Sequence, residues 1–149
     1  MASLEASSSS GAGVTLGARC LVHESAVIDA RRGPIVIDDD TCVDEGVVIA
    51  NESEEVLRIG RGNWFQVKSV CRARAVGDYN IFKPRSVVEA PAVVGSGCSV
   101  GAGVRVVGGA VCDGASVFRR GDAADARTCD HLLALHKILA EARAAAIPR

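Results

Sequence analysis

The sequence has few aromatic residues and no long apolar run, and both absences restrict the fold. Aromatic residues make up 3% of the 149 residues, although 48% are hydrophobic. A core that is so apolar but has so few rings is built from Val, Ile, Leu, Ala and Cys, which suits a narrow, repetitive interior. No apolar run approaches the roughly 20 residues that a membrane-spanning helix needs. We therefore expect one repetitive domain without a membrane span.

A strong charge of one sign is also absent, as is a targeting segment. The formal net charge is −1 and the pI is near 6.3, so nothing attracts nucleic acid or anionic lipid over a long range. Residues 1–13 have neither the positively charged start nor the apolar stretch of a secretory signal peptide. We expect these residues to form a disordered tail, and the protein to be cytoplasmic with no nucleic-acid partner.

An apolar residue recurs every six positions from Leu16 onward. The members of this series are Leu16, Val22, Ile28, Ile37, Val43, Ile49, Ile59, Phe65, Cys71, Val76, Phe82, Val88, Val94, Val100, Val106, Cys112 and Phe118. The residue four positions after each member of the series is usually small. The residue directly after each member is often Gly or an acid. A repeat that persists at one period over most of a chain indicates a solenoid.

The hexad predicts a left-handed parallel β-helix of about six triangular coils over residues 14–121. Each hexad supplies one short strand and one corner, and neighbouring coils lie about 4.8 Å apart. The apolar residue points inward, and Gly directly after it is expected to adopt dihedrals that a Cβ forbids. Taken in threes, the hexads change length only after the third unit. Three extra residues precede Ile37, four precede Ile59, and one is missing before Val76.

Residues 128–146 have a helical period, with apolar residues recurring from Leu132 to Leu139. Thr128 is expected to cap this helix, and residues 119–127 are expected to form a connecting loop. A helix of this kind packs on a face of the β-helix or covers a terminal coil.

The six cysteines suggest core packing and no metal or cofactor site. The sequence has no CxxC pair, and no histidine stands at metal-ligand spacing from a cysteine. Cys71 and Cys112 fall on inward apolar positions. Cys20 and Cys98 fall on the small inward positions, where reduced thiols pack as hydrophobes.

Two enzyme classes resemble this chain in their coils, and both depend on histidine. Hexapeptide acyltransferases use a histidine base between the subunits of a trimer, and γ-class carbonic anhydrases bind zinc with three histidines across such an interface. The chain contains only His23, His131 and His136. Five helical residues turn by about 500°, so His131 and His136 are expected to be solvated on different faces. We therefore expect no catalytic residue, no metal and no cofactor, with a trimeric hexapeptide-repeat enzyme as the alternative.

Surface charge suggests where partners bind. A basic set on the second and third faces of the middle coils is a candidate surface for an acidic partner, and the loop after the second coil is another candidate. The candidate partner-binding residues are Lys68, Arg72, Arg74, Lys83 and Arg85 in the basic set, and Glu52, Glu54, Glu55 and Arg58 in the loop. Lys68 and Arg85 are expected at equivalent positions on successive coils. Arg72 is expected to pair with Glu89.

Several segments resemble the left-handed β-helix subunits of the dynactin pointed-end complex. The similar segments are Gly33–Ile37, Val76–Ile81, Ser96–Ala102 and the terminal helix from Asp130 to Leu139. The hexad itself is not specific to that family. The order of the segments, the loop after the second coil and the terminal helix are more specific.

The resemblance implies a non-catalytic structural or adaptor subunit that supports dynein-driven microtubule transport and cargo attachment. It also implies two partners, the other β-helix subunit (dynactin subunit 5) and the pointed-end actin-related protein. A hetero-oligomer rather than a homotrimer, and a cytoplasmic, cytoskeleton-associated location, follow from the same resemblance.

Overall fold

The structure, a computed structural model, describes residues 13–111, 115–120, 123–128 and 132–145. Most of its strands are short because each one ends at the corner of a coil. The strands are β1 (Val14–Leu16), β2 (Leu21–Val22), β3 (Val27–Asp29), β4 (Ile35–Ile37), β5 (Cys42–Val43), β6 (Val48–Ala50), β7 (Leu57–Ile59), β8 (Trp64–Phe65), β9 (Val70–Cys71), β10 (Ala75–Val76), β11 (Ile81–Phe82), β12 (Val87–Val88), β13 (Val93–Val94), β14 (Ser99–Val100), β15 (Arg105–Val106), β16 (Ala110–Val111), β17 (Ala115–Arg120) and β18 (Ala123–Thr128). They are followed by the helix α1 (Leu132–Ala145).

The strands form three parallel sheets, which are the three faces of a triangular prism. The first face has the order β1-β4-β7-β10-β13-β16, the second runs from β2 through β5, β8, β11 and β14 to β17, and the third from β3 through β6, β9 and β12 to β15. Each strand from β1 to β14 therefore pairs with the strand three positions later in the chain. This arrangement gives five complete coils and the first two strands of a sixth. The predicted left-handed parallel β-helix with a C-terminal helix is confirmed. We number the corners by the face that precedes them.

The predicted inward columns are confirmed through the fifth coil. In the first face the register joins Leu16, Ile37, Ile59, Val76 and Val94. In the second it joins Val22, Val43, Phe65, Phe82 and Val100, and in the third Ile28, Ile49, Cys71, Val88 and Val106. Phe65 and Phe82 stack with ring centroids 4.5 Å apart. The loops that break the six-residue step lie at the third corner, as predicted, between β3 and β4 and between β6 and β7.

Beyond the fifth coil the predicted register is wrong by one residue. The hexad series assigned Cys112 and Phe118 to the inward columns. The strand pairs place Val111 and Val117 there instead. The corner after Val106 is one residue shorter than the repeat, so each later residue moves up by one position.

Glycine has a different role at the first corner from the one predicted. Gly60 and Gly77 were expected to need unusual dihedrals, but the positive φ belongs to the residue two positions later, Gly62 (67°) or Tyr79 (57°). A Cβ on Gly77 would lie 2.6 Å from the carbonyl oxygen of Gly95 in the next coil. Glycine is therefore needed at that position because successive coils approach closely.

The segment between the last coil and α1 also differs from the prediction. Residues 119–127 were expected to form a loop, but β17 and β18 pair as an antiparallel hairpin. Thr128 is the last residue of β18 and does not begin the helix, which starts at Leu132. The predicted tail lies outside the described residues except for Gly13, whose carbonyl accepts a hydrogen bond from the Ile35 amide (3.0 Å). Within the described residues, no helix is long and apolar enough to cross a membrane.

Candidate partner-binding surfaces

A ladder of alternating charges runs along the third corner. Glu52 forms ion pairs with Arg32 (3.8 Å) and with Arg72 (3.3 Å). Glu89 forms ion pairs with Arg72 (3.2 Å) and with Arg105 (3.1 Å). The predicted pairing of Arg72 with Glu89 is thus confirmed. Each internal member of the ladder has two ion-pair partners. Because both ends are arginines, the three arginines and two glutamates together carry a net charge of +1.

Two further members of the predicted set pair with each other beside this ladder. Arg74 lies 3.7 Å from Glu55, and both side chains are exposed. An exposed pair of this kind contributes little to stability, about 1 kcal/mol at most. The predicted basic set is therefore divided, since Arg72 and Arg74 have their charges compensated within the chain.

The remaining cations of the basic set form a separate group at the second corner. Lys68, Lys83 and Arg85 are all exposed, and within the described part of the chain no acidic side chain lies at ion-pair distance from them. Lys68 and Arg85 occupy equivalent positions on adjacent coils, as predicted, and both have a positive φ, 59° and 61°. These three side chains are the part of the predicted set that is free to meet an acidic partner.

Glu54 and Arg58 do not join either group. Arg58 points outward from β7 on the first face, where its register partner is Val36. Both Glu54 and Arg58 are exposed, and the described residues supply no ion-pair partner for them. The nine predicted residues therefore do not form one continuous site.

The helix α1 covers part of the second face through residues that the sequence did not single out. The Arg143 guanidinium lies 4.7 Å above the ring of Trp64 and donates to the carbonyl of Gly62 (3.1 Å). Trp64 Nε1 donates to Asp44 (2.9 Å). A lone tryptophan at an outward position, in a chain with so few rings, was the available signal that this face is covered.

The histidines are distributed differently from the expectation. His136 is not solvated but 4% exposed, and its Nδ1–H donates to the carbonyl oxygen of Tyr79 (3.0 Å). Burial lowers the pKa of His136, an effect that this hydrogen bond opposes. His23 is exposed, with Nδ1 2.8 Å from the Ser25 hydroxyl. His131 lies outside the described residues, among which no three His, Cys, Asp or Glu side chains gather as a metal site would require.

Two of the predicted core cysteines are confirmed as fully buried. Cys71 and Cys98 are 0% exposed, and Cys20 is half-buried. Burial raises the pKa of Cys71 to about 11, and burial with the nearby Asp44 raises that of Cys42 to about 12. These thiols therefore remain protonated and unreactive near neutral pH. Cys112 lies outside the described residues.

The fold defines a class, the hexapeptide-repeat β-helix proteins. A solved hexapeptide transferase family protein from Anaplasma phagocytophilum has a similar fold, with a TM-score of 0.51 over 89% of this chain and 95% of that chain. Its sequence is only 18% identical, so the similarity concerns the fold alone. No family model matches the chain.

Within this class, the resemblance to the β-helix subunits of dynactin is confirmed by curated proteins named dynactin subunit 6. The chain is 39% identical over 100 residues to dynactin subunit 6 of Nematostella vectensis, which covers 60% of this chain and 54% of that protein. It is 37% identical over 100 residues to that of Danio rerio, covering 59% of this chain and 51% of that protein. The chain spans about half the length of these relatives.

Proposed function

We propose that this chain acts as a non-catalytic structural or adaptor subunit of the dynactin pointed-end complex and supports dynein-driven transport and cargo attachment. The observation that carries this proposal is the sequence similarity to curated proteins named dynactin subunit 6, such as that of Nematostella vectensis with 39% identity over 100 residues. Dynactin subunit 5 and the pointed-end actin-related protein are the proposed partners. The proposed location is the cytoplasm, on the cytoskeleton.

The geometry of the chain is compatible with this role. Coils that hydrogen-bond to both neighbours make a rigid rod with flat faces, which suits a spacer or docking element. The second-corner cations Lys68, Lys83 and Arg85 supply charge that the described residues do not neutralise. We propose these three residues, with Arg58 on the first face, as contact residues, and the ladder residues as the scaffold that holds the third corner in shape.

Co-expression tests the proposal directly. The chain is co-expressed with dynactin subunit 5 and the pointed-end actin-related protein of the same organism, and the mass of the purified complex is measured by light scattering. We expect a stable hetero-oligomer that contains one copy of this chain. Failure of both proteins to associate with a correctly folded chain would contradict the proposal.

The alternative is a trimeric hexapeptide-repeat enzyme, either an acyltransferase or a γ-carbonic-anhydrase-like protein. It is favoured by the position of His23, which borders an open surface pocket of about 230 Å³ lined also by Leu21, Cys42 and Asp44. Light scattering and a zinc assay on the isolated chain separate the two functions. A tight homotrimer with stoichiometric zinc, or with acyl transfer abolished by His23→Ala, would favour the enzyme, whereas a zinc-free chain that is not a trimer favours the subunit.

A further inference from the structure

The outward side of the third face is a stripe of valines. Val27, Val48, Val70 and Val87 lie in register on four successive coils, each half-buried between its neighbours. The stripe spans about 14 Å, three steps of the strand spacing of about 4.8 Å. We call these four residues the valine face. Apolar side chains aligned on one face of a folded chain are a candidate contact surface for another molecule.

The helix α1 packs on part of the second face, and its described contacts do not include the valine face. The described contacts of α1 reach Gly62, Trp64 and Tyr79, which lie on the second face or at the first corner. The molecule thus already packs one helix against a face of its β-helix. The helical pitch of about 5.4 Å is close to the step between coils, so successive turns of a helix can follow successive rungs.

The two long edges of the valine face differ in charge. On one edge, Lys68 and Arg85 stand two residues before Val70 and Val87, with no acidic partner in the described chain. On the other edge, Arg72 follows Val70 by two residues, and its charge is compensated by the ladder. An occupant therefore meets cations that have no ion-pair partner in the described chain along one edge only.

The charge also changes along that edge. Beside the first two coils, the second corner carries the exposed acids Glu24 and Glu45 in place of cations. Acidic groups of an occupant are attracted beside the third and fourth coils and repelled beside the first and second. The edge thus sets both the side and the direction in which an acidic segment lies.

We propose that the valine face binds an amphipathic α-helix of a partner protein, with its apolar stripe on the valines and its acidic residues beside Lys68 and Arg85. About ten residues of helix match the length of the face. Helix-in-groove recognition by apolar residues at i, i+3, i+4 and i+7 is a known mode of peptide binding. The inference rests on the proposed function, since the partner helix belongs to a protein of the same complex.

Site-specific crosslinking tests the position and chemistry of this helix. The photoreactive amino acid p-benzoylphenylalanine replaces Val70 in the full chain, and the crosslinked peptide of the co-expressed complex is identified by mass spectrometry. We expect a partner segment with helical apolar spacing and a net negative charge. The same segment should not crosslink from Val36, the matched outward valine of the first face. A crosslink to a second copy of this chain, to a basic segment, or to no protein would overturn the proposal.

Charge reversal provides a second test that does not depend on the crosslinker. The double variant Lys68→Glu with Arg85→Glu should weaken assembly with the partner by about tenfold or more, because an attraction becomes a repulsion. The control reverses two other exposed cations, Arg61→Glu with Lys137→Glu, and circular dichroism verifies the fold of both variants.

The outcomes separate this inference from the proposed function. If the wild-type chain assembles and both double variants assemble equally well, the valine face is not the docking site, although the subunit role stands. If the folded wild-type chain does not assemble at all, both proposals fail.

Discussion

Two asparagine side chains at the first corner link successive coils through hydrogen bonds. Asn63 and Asn80 are 0% exposed at the inward position that elsewhere holds a small residue. Asn80 donates to the carbonyl of Gly95 (2.8 Å), and its side-chain oxygen accepts from the amide of Cys98 (2.7 Å). Asn63 in turn accepts from the amide of Asn80 (2.9 Å). The amide side chains therefore satisfy backbone groups that the corner leaves unpaired.

Removal of one member of this chain of asparagines should be strongly destabilising. Asn80→Ala leaves the amide of Cys98 and the carbonyl of Gly95 buried without these partners, which costs about 2–4 kcal/mol in the free energy of unfolding. Urea denaturation measures the loss. The control Glu54→Ala, at an exposed residue, should change stability by less than about 0.5 kcal/mol. A loss no greater than that of the control would show that water replaces the amide.

For single residues, the sequence predicts which side chains are buried better than it predicts their hydrogen-bond partners. The six-residue period placed Cys71 and Cys98 inside, and the structure confirms both. The same period gave no sign that buried asparagines bond to the next coil. The helical period of the C-terminal segment also failed to predict the burial of His136, because it does not determine which face of the helix packs on the β-helix.

The helix α1 buries the titratable side chain of His136 against the β-helix. His136 lies against the carbonyl of Tyr79, and its charged form would face Arg143 and Lys83. Burial lowers the pKa of His136 in the folded state from 6.5. Below about pH 6.5 the unfolded chain therefore binds a proton more readily than the folded chain, and the stability falls as the pH decreases.

We therefore expect α1 to be released more easily in mild acid. Hydrogen exchange of the α1 amides should accelerate relative to those of the coils between about pH 7.5 and pH 5.5, after correction for intrinsic rates. His136→Gln, which cannot titrate, should remove most of this difference. His23→Gln is the control at an exposed histidine and should leave it unchanged. Equal pH dependence in wild type and His136→Gln would contradict the argument.

The elements after the fifth coil show where prediction from the sequence ended. Val111 and Cys112 are both apolar, so composition could not determine which of them continues the inward column after a shortened corner. The hairpin of β17 and β18 was missed because four of the six residues of β18 are three Ala and one Asp, which have low strand propensity. Gly121-Asp122 between two six-residue segments was the available turn signal.

The candidate surfaces were predictable in composition but not in arrangement. All five basic residues of the predicted set belong to the middle coils, as the repeat indicated. Their pairing depends on the loop at the third corner, which brings Glu52 to Arg72 across an insertion that hides the spacing from the sequence. The distinction between compensated and free cations therefore required the structure.

The described coils form a stack in which strand pairing connects each coil to its neighbours. Its contacts between strands connect each coil to the next, through pairs such as β3 with β6 and β6 with β9. Stability in such an array is close to a sum of the coil energies and the interfaces between coils. The same substitution should therefore have different consequences in the middle and at the end of the rod.

A pair of valine-to-alanine variants tests this property. Val88 is 0% exposed in the fourth coil, between neighbours on both sides, whereas Val22 is half-buried in the first coil and has a neighbour on one side. We expect Val88→Ala to lower the free energy of unfolding by about 2–3 kcal/mol and Val22→Ala by less than about 1 kcal/mol. Hydrogen exchange should accelerate in the third to fifth coils for Val88→Ala, but only in the first and second coils for Val22→Ala. Uniform acceleration along the rod in both variants would mean that the coils unfold as one cooperative unit, because interface energies then exceed the intrinsic instability of every coil.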